Sequence, residues 1–370
     1  MKLALIGNYG ATNIGDDAIM SSILKSHASH DWTVFSANPD ETHRQFKVKT
    51  APLFPLGLRS AIKFGFRKSY KALRSVEAVV LGGGGLFQDS RLFACFLWAW
   101  QVWWAKELGK PMFIYATGVG PLKTWLGKWL TRWSYDYASG ITVRDHRSLD
   151  NLVELGVDAK KIEVTADPAF LFKPSEEEKT REARTYLISL RPWLNQNKAL
   201  VEGFTKVLLK LKAEKNAKFT FVCMQSIREH DRQIAEPVAR RVGGVLVEPR
   251  DFTELVGLLE QAEFAIGMRY HFLIAAMIAK TPTLALSYSP KVQSLYEDDL
   301  VPYSLPVEGF APESLEKKLT RLSVEYNRFK IYAKRHAQDL SEKASKNPGF
   351  LEEFTKRLTK ARETDKLSQQ

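Results

Sequence analysis

This 370-residue sequence predicts an α/β protein with two Rossmann-like domains, each built on a parallel sheet. Three observations carry that expectation. Apolar runs of strand length alternate with helical patterns almost throughout. Many of those runs end in glycines or charged residues, as strands do where open α/β sheets bind ligands. The alternation also halts once, over 173–184, in a charged stretch that contains Pro174 and has no apolar period, and then restarts. The expected organisation is an N-terminal domain over 1–172, a linker over 173–184, a C-terminal domain over 185–325, and helices and a tail over 326–370. The length agrees, since it exceeds what one ordinary core supports.

Taken in order, Lys2 to Ile6 is a short apolar run that stops at Gly7. Gly10, Asn13, Gly15, Asp16 and Asp17 then lead into a helical pattern carried by Ala18, Ile19, Ile23 and Leu24. The glycines lack the spacing of a dinucleotide fingerprint, and two carboxylates there would repel a pyrophosphate. Asp16 and Asp17 suit either a helix N-terminus, by charge–dipole attraction, or a loop that hydrogen-bonds sugar hydroxyls.

The net charge is +12, and its excess is concentrated. Leu56 to Arg74 holds six basic residues and no acidic one, with Arg59, Lys63, Arg67 and Lys71 every four positions and Leu58, Ile62, Phe66 and Leu73 as apolar partners. Leu92 to Ala105 follows with Phe93, Phe96, Trp98, Trp100, Trp103 and Trp104, interrupted only by Gln101. It falls short of the roughly 18 apolar residues of a spanning helix, so it reads as a buried or an interfacial helix, or a subunit face. Trp125, Trp129 and Trp133 then recur beside Lys123, Lys128 and Arg132. The sharper reading of this basic and aromatic region is contact with an anionic membrane or a lipid-linked diphosphate. Nucleic acid is disfavoured, because no recognised motif accompanies the charge.

Further strands are expected at Ala78 to Leu81, running into Gly82 to Gly85; at Met112 to Tyr115, ending in Thr117 to Pro121; at Gly140 to Val143, leading to Arg144 and Asp145; and at Lys161 to Thr165, leading to Asp167 and Pro168. Beyond the seam come strands at Tyr186 to Leu190, Phe219 to Val222, Val245 to Val247, Phe264 to Ile266 and Thr283 to Leu286. Helices are expected around Ala199 to Lys212 and Phe252 to Gln261. From about Pro312 the chain is helical and charged, and its last ten or so residues are expected to fray. Cys95 and Cys223 lie far apart without metal or redox spacing, and no secretory signal is evident, which fits the cytoplasm.

The densest chemistry lies at Gly267-Met268-Arg269-Tyr270-His271 and Ser287-Tyr288-Ser289-Pro290-Lys291-Val292. An expected strand delivers an arginine fork and a titratable imidazole to the start of a helix. That pair suits a small anionic substrate that is both held and protonated. An arginine at a helix start with a histidine packed below it is the plainer alternative.

With these residues in view, the chain resembles the polysaccharide pyruvyl transferase family, most closely its bacterial cell-wall (CsaB-like) branch. The resemblance rests on Asn13-Ile14-Gly15-Asp16-Asp17, Leu81 to Asp89, Gly118 to Leu122, Val143-Arg144-Asp145 with Ser148, Ala166-Asp167-Pro168-Ala169, Arg269-x-His271 and Ser287-Tyr288-x-Pro290-Lys291. They run in family order over roughly residues 1 to 300. Tyr270 stands where leucine is frequent, and Ser289 where aspartate is. The resemblance implies a fold similar to the two-domain GT-B glycosyltransferases, with the parallel sheets facing a cleft. It implies phosphoenolpyruvate as donor and a sugar that receives a cyclic pyruvate ketal on two hydroxyls, with phosphate released. In the cell-wall branch, whose products anchor surface layers, the acceptor is a lipid-linked disaccharide ketalised on N-acetylmannosamine, so a polyprenyl diphosphate would meet the basic, aromatic surface at the inner face of the membrane.

The residue chemistry fits that donor. Arg144, Arg269 and Lys291 are the expected cationic contacts, with Arg191 in reserve, because a phosphate and a carboxylate must both be desolvated. His271 is the expected general acid at the enol carbon, and Asp16 or Asp17 the base for the acceptor hydroxyl. Asn13, Gly84, Gly85, Gln88 and Asp89 are the remaining candidates for acceptor contact, although Asp89 equally suits a helix cap. Asp145 is expected to orient Arg144 or cap the next helix. His27, His30, His43, His146, His230 and His336 form no ligand spacing, so no metal or other cofactor is expected. A nucleotide-sugar-dependent glycosyltransferase on the same fold, and a non-catalytic membrane-surface protein of envelope assembly, stand as alternatives. An oligomer is possible on this sequence.

Overall fold

The computed structural model describes residues 1–57, 65–89, 92–174, 180–225 and 230–368. Leu58, Arg59, Ile62 and Lys63 of the basic segment lie outside the described residues. By contacts the chain divides into two compact units. The first contains Met1–Ala11, Ile19–Leu171 and Leu340–Gln370, and the second contains Thr12–Ala18 and Phe172–Asp339.

The first unit is built on β1 (Lys2–Ile6), β2 (Asp31–Ser36), β3 (Lys49–Pro52), β4 (Ala78–Gly82), β5 (Met112–Thr117), β6 (Gly140–Val143) and β7 (Ile162–Val164). All pair in parallel, in the order β3-β2-β1-β4-β5-β6-β7. The second unit is built on β8 (Glu182–Ser189), β9 (Lys218–Val222), β10 (Val245–Val247), β11 (Ala262–Gly267), β12 (Thr283–Ser287) and β13 (Ser304–Pro306). These also pair in parallel, as β10-β9-β8-β11-β12-β13. Each unit is Rossmann-like. Strand order reverses once in each, between β1 and β4 and between β8 and β11, and the carboxyl ends there form the crevice where such sheets take ligands.

The strands at the centre of the first sheet are the easiest to see in sequence for a physical reason. β4 and β5 are buried at every position, so neither face calls for a polar residue and they read as unbroken apolar runs. β2, β3 and β13 were not foreseen. β3 and β13 are short edge strands that contain proline, and three or four residues leave too little period to detect. Glu182 to Arg184, expected in the linker, are the first residues of β8; 175–179 lie outside the described residues.

The aromatic helix Leu92–Glu107 is chiefly core. Trp98 is buried, while Trp100 and Trp104 pack against the main apolar cluster of the first unit. Gln101 interrupts the run because its fully buried amide serves the backbone: Oε1 accepts from Phe54 N at 2.9 Å and Nε2 donates to Phe54 O at 3.0 Å. Phe93 and Phe96 remain 65% and 40% exposed. Trp125 and Trp129, on the helix Trp125–Tyr137, are 77% and 56% exposed. The two helices pack through Cys95, Ala99 and Leu130. No helix among the described residues is long and apolar enough to cross a membrane.

The C-terminal helix Asn347–Ser368, where fraying was expected over the last ten or so residues, runs to Ser368 and packs on β5 and β6 of the first unit. Phe113 and Tyr115, two apart on β5, share one face of that sheet. Phe113 meets Phe354, and Tyr115 meets His27 edge-on at 6.0 Å. Asn347 fixes the helix start, accepting from Thr165 Oγ1 at 2.8 Å and donating to Ala166 O at 3.1 Å.

Candidate functional site

Within the second unit the expected donor residues gather at the carboxyl ends of β8, β11 and β12. β8 ends at Ser189 and delivers Arg191. β11 ends at Gly267 and delivers Arg269, which stands at the start of the helix Tyr270–Ile278. β12 ends at Ser287 and delivers Tyr288 and Lys291. Arg269 is held rigidly. Its Nε donates to Asp231 Oδ1 at 3.1 Å, and its Nη2 donates to the same carboxylate and to Gln225 Oε1 at 3.0 Å. Asp231 is fully buried and also accepts from Met224 N at 3.0 Å. A buried carboxylate on one edge of a guanidinium fixes its plane and leaves the other edge for a ligand.

Arg191 donates from Nη1 to the Tyr288 hydroxyl at 3.0 Å, with its guanidinium carbon 4.8 Å from the centre of that ring. Burial would raise the Tyr288 phenol, but the combined field of Lys291, Arg191 and Arg269, with the Arg191 hydrogen bond, brings it down to about 8. His230 feels the same field: burial, then Arg269 and Arg191, hold its imidazole below the usual histidine range. Several donors here are buried without a partner among the described residues: Arg191 Nε and the hydroxyls of Ser189, Ser287 and Ser289. Unpaired buried donors at strand ends are costly unless a ligand or water completes them.

The loop that carries Asp16 and Asp17 belongs by its contacts to this same unit. Asn13 forms an antiparallel bridge with Gln225, beside Arg269. Gly15 lies against His271: a Cβ built on Gly15 would sit 2.0 Å from His271 Nδ1 and 2.5 Å from its Cβ. Asn13 caps the helix Ile14–Ser26, its carbonyl accepting from the amides of Asp16 at 3.0 Å and Asp17 at 3.1 Å, and its Nδ2 donating to Asp16 Oδ2 at 2.6 Å. Asp16 is buried and Asp17 half-buried in the first helical turn. The helix-start reading of the two aspartates is the one seen, with the adjoining Gly15 packed against the imidazole. Asn13, expected at the acceptor, is occupied by capping.

The remaining expected residues lie in the first unit. Arg144 follows β6 with its side chain only 4% exposed; Nη1 donates to Asp167 at 3.2 Å and Nε lies 3.5 Å from Asp145. Asp145 both pairs with Arg144 and caps the helix His146–Glu154, accepting from Ser148 N at 2.7 Å. Gly84 lies in the turn after β4 with φ +73°, a conformation that favours glycine, and Gly85 follows it, 3.9 Å from Arg144 when measured from a Cβ. Gln88 is half-buried. Asp89, expected at the acceptor, is instead a loop cap. Its carboxylate accepts from Lys123 N, Thr124 N and Thr124 Oγ1, and those hydrogen bonds hold it below the usual carboxylate range despite burial.

Asp231, Gln225 and Tyr288 are the residues sequence reasoning under-used. Tyr288 stood inside a motif already singled out. Asp231 and Gln225 carried no local signal, since their meaning comes from Arg269, 38 and 44 positions away.

A family model for polysaccharide pyruvyl transferases matches residues 13–290. The chain belongs to that family. Among curated relatives of this pyruvyl transferase family member is the amylovoran biosynthesis protein AmsJ of Erwinia amylovora, 22% identical over 352 residues, covering 79% of this chain and 84% of AmsJ. Among solved structures, the UDP-GlcNAc 2-epimerase of Neisseria meningitidis aligns with TM-score 0.63 at 13% identity, over 95% of this chain and all of the epimerase. Anabaena HepE in complex with UDP-glucose aligns with TM-score 0.61 at 11% identity, over 98% of this chain and 99% of HepE. At such identities these structures establish the shared GT-B-type fold of two Rossmann-like units and nothing about ligands.

Proposed function

We propose that this pyruvyl transferase family member moves pyruvate from phosphoenolpyruvate onto two hydroxyls of a sugar, forming a cyclic ketal and releasing phosphate. The observation that carries the reading is the set of cations and unpartnered donors at the ends of β8, β11 and β12: Arg191, Arg269 and Lys291 with Ser189, Ser287 and Ser289. A ligand with a phosphate and a carboxylate matches that set in charge and in acceptor oxygens. His271 donates a proton to the methylene carbon of the enol, and the cationic centre at the neighbouring carbon is attacked by one sugar hydroxyl. Asp16 takes that hydroxyl's proton. The carbon–oxygen bond to phosphate then breaks, and the second hydroxyl closes the ring as its proton passes to the departing phosphate; the proton on Asp16 restores His271, so donor and diol yield ketal and hydrogen phosphate. Arg144, near Gly85 in the first unit, is a further candidate cation for an anionic substrate. No metal is required, because arginine and lysine neutralise the donor.

An exopolysaccharide or cell-wall precursor on a polyprenyl diphosphate is the acceptor we favour. The exposed Phe93, Phe96, Trp125 and Trp129, with exposed Lys123 and Lys128 nearby in sequence, support docking of this cytoplasmic-side enzyme to an anionic membrane that carries such a lipid. The test is calorimetric titration with phosphoenolpyruvate and, separately, UDP-glucose, followed by phosphate release with a synthetic diphospholipid disaccharide bearing N-acetylmannosamine. Phosphoenolpyruvate binding and acceptor-dependent phosphate release are expected. Binding of UDP-glucose alone would move the chain to sugar transfer, and binding of anionic vesicles without turnover of either donor would make it a surface protein of envelope assembly.

Tyr288 gives this reading a pH signature. With the phenol at about 8, the site gains a negative charge as pH rises through that value. An anionic donor favours the neutral phenol, so its affinity falls above about pH 8 and is retained below. In Tyr288→Phe that alkaline fall is lost, while affinity near pH 7 changes little. Calorimetry across pH 6.5–9.5, roughly 1.5 units either side of the phenol, checks both; an unchanged profile in the variant would assign the fall elsewhere.

A further inference from the structure

Away from the strand ends of the second unit, the first unit holds a compact group of side chains that the proposed reaction does not use. His27 follows the helix Ile14–Ser26, His30 comes one turn later just before β2, and Glu352 projects from the C-terminal helix Asn347–Ser368. Their ligating atoms all lie within 4.8 Å of one another. Glu352 Oε1 is 3.5 Å from His27 Nδ1 and 3.7 Å from His30 Nε2. These separations are longer than an N–H···O hydrogen bond, which has its mode near 2.9–3.0 Å. They are close to the ~3.3 Å at which a tetrahedral zinc ion with bonds of about 2.0–2.1 Å spaces its ligand atoms.

Burial makes that spacing informative. The His27 side chain is 0% exposed and that of His30 is 9% exposed. Among the described residues His27 Nδ1, His27 Nε2 and His30 Nε2 have no hydrogen-bond partner. Nor does the hydroxyl of Tyr115, whose ring meets His27 edge-on. Unpartnered imidazole nitrogens beside a carboxylate are costly unless a ligand completes them. The two imidazole rings stack at 6.0 Å with planes 10° apart. Their backbone is pinned by His30 N donating to His27 O at 3.2 Å and by Trp32 Nε1 donating to the same carbonyl at 3.0 Å.

We propose that His27, His30 and Glu352 form a site for a divalent transition metal of the zinc class, which clamps the C-terminal helix onto the first unit. Two imidazoles and a carboxylate suit zinc, and the 39% exposed Glu352 side leaves room for a water as fourth ligand. The site has no part in the donor chemistry, so it stands or falls independently of it. Its consequence is mechanical: the helix that covers β5 and β6 gains a bond to the helix after β1, beside the contacts of Phe354 and Asn347.

The experiment uses the full chain, freed of any affinity tag and of metal by chelation. Zinc chloride is titrated calorimetrically and cobalt chloride by visible absorption, on wild type and on His30→Gln and Glu352→Gln, with metal-free melting curves to confirm that each variant folds. The expected result is one zinc per chain, cobalt bands of a tetrahedral site, and a melting temperature raised by zinc in wild type. Loss of an outer-shell partner alone weakens metal sites about 10–100-fold, so loss of a ligand in either variant should weaken zinc at least that much and abolish the melting shift. Absence of stoichiometric binding, or binding undiminished in both variants, would overturn the proposal.

Discussion

Arg269→Ala weakens phosphoenolpyruvate binding by roughly 30-fold or more, about 2–5 kcal/mol, on the proposed reading. The size follows from how the residue is set. Asp231 and Gln225 occupy its Nε and Nη2, so the guanidinium is already ordered and little entropy is lost when a phosphate or carboxylate arrives. The substitution also strands Asp231, a fully buried carboxylate, and a melting curve must accompany the titration to separate lost binding from lost folding. Arg269→Lys is the informative companion. It keeps the charge near Asp231 but loses the planar fork, so stability largely returns while donor affinity stays reduced. Wild-type affinity in both variants would remove the donor from the end of β11.

The second large effect needs no change in any charged residue. In Gly15→Ala the new Cβ would enter the His271 ring, 2.0 Å from Nδ1 and 2.5 Å from the side chain's own root. Contacts that short do not persist, and because the histidine Cβ is involved a simple ring rotation does not relieve them. Either the imidazole is expelled or the first turn of the helix Ile14–Ser26 shifts, taking Asp16 with it. Each separates the proposed acid from the proposed base by about an ångström or more, which costs on the order of 100-fold in kcat. Phosphoenolpyruvate affinity, carried by Arg191, Arg269 and Lys291, should change far less. Steady-state phosphate release and calorimetry distinguish the two. In a His271→Gly background, which removes the Cβ as well as the ring, the same glycine substitution should be nearly silent, since the clash is gone along with the acid. An additive loss would show that Gly15 acts through something other than His271.

Much of this architecture was legible in the chain. The core strands announce themselves because a buried parallel strand tolerates few polar residues, and the charged seam near Pro174 falls close to the boundary between the units. The arginine and histidine after β11 were visible because strand ends are where such sheets place chemistry. Asp89 was less transparent. A carboxylate after a glycine-rich turn looks the same in sequence whether it meets a sugar or, as here, three donors from residues 123 and 124. The aromatic segment divides for a similar reason. Trp98 and Phe93 are alike in composition, and only helix packing puts one in the core and the other in solvent.

The sequence by itself determined the class of fold, the order of most elements and the family, since these depend on periodicity and motifs within a few tens of residues. Tertiary structure decided what each charged group faces. Sheet order brings Asp231 to Arg269 and Tyr288 to Arg191, and it packs the loop of Asn13 and Gly15 against Gln225 and His271. The return of the last helix brings Glu352 to His27 and His30, from the opposite end of the chain. Local pattern records only whether a residue prefers burial. Which partner satisfies it there is set by long-range packing between elements far apart in the chain.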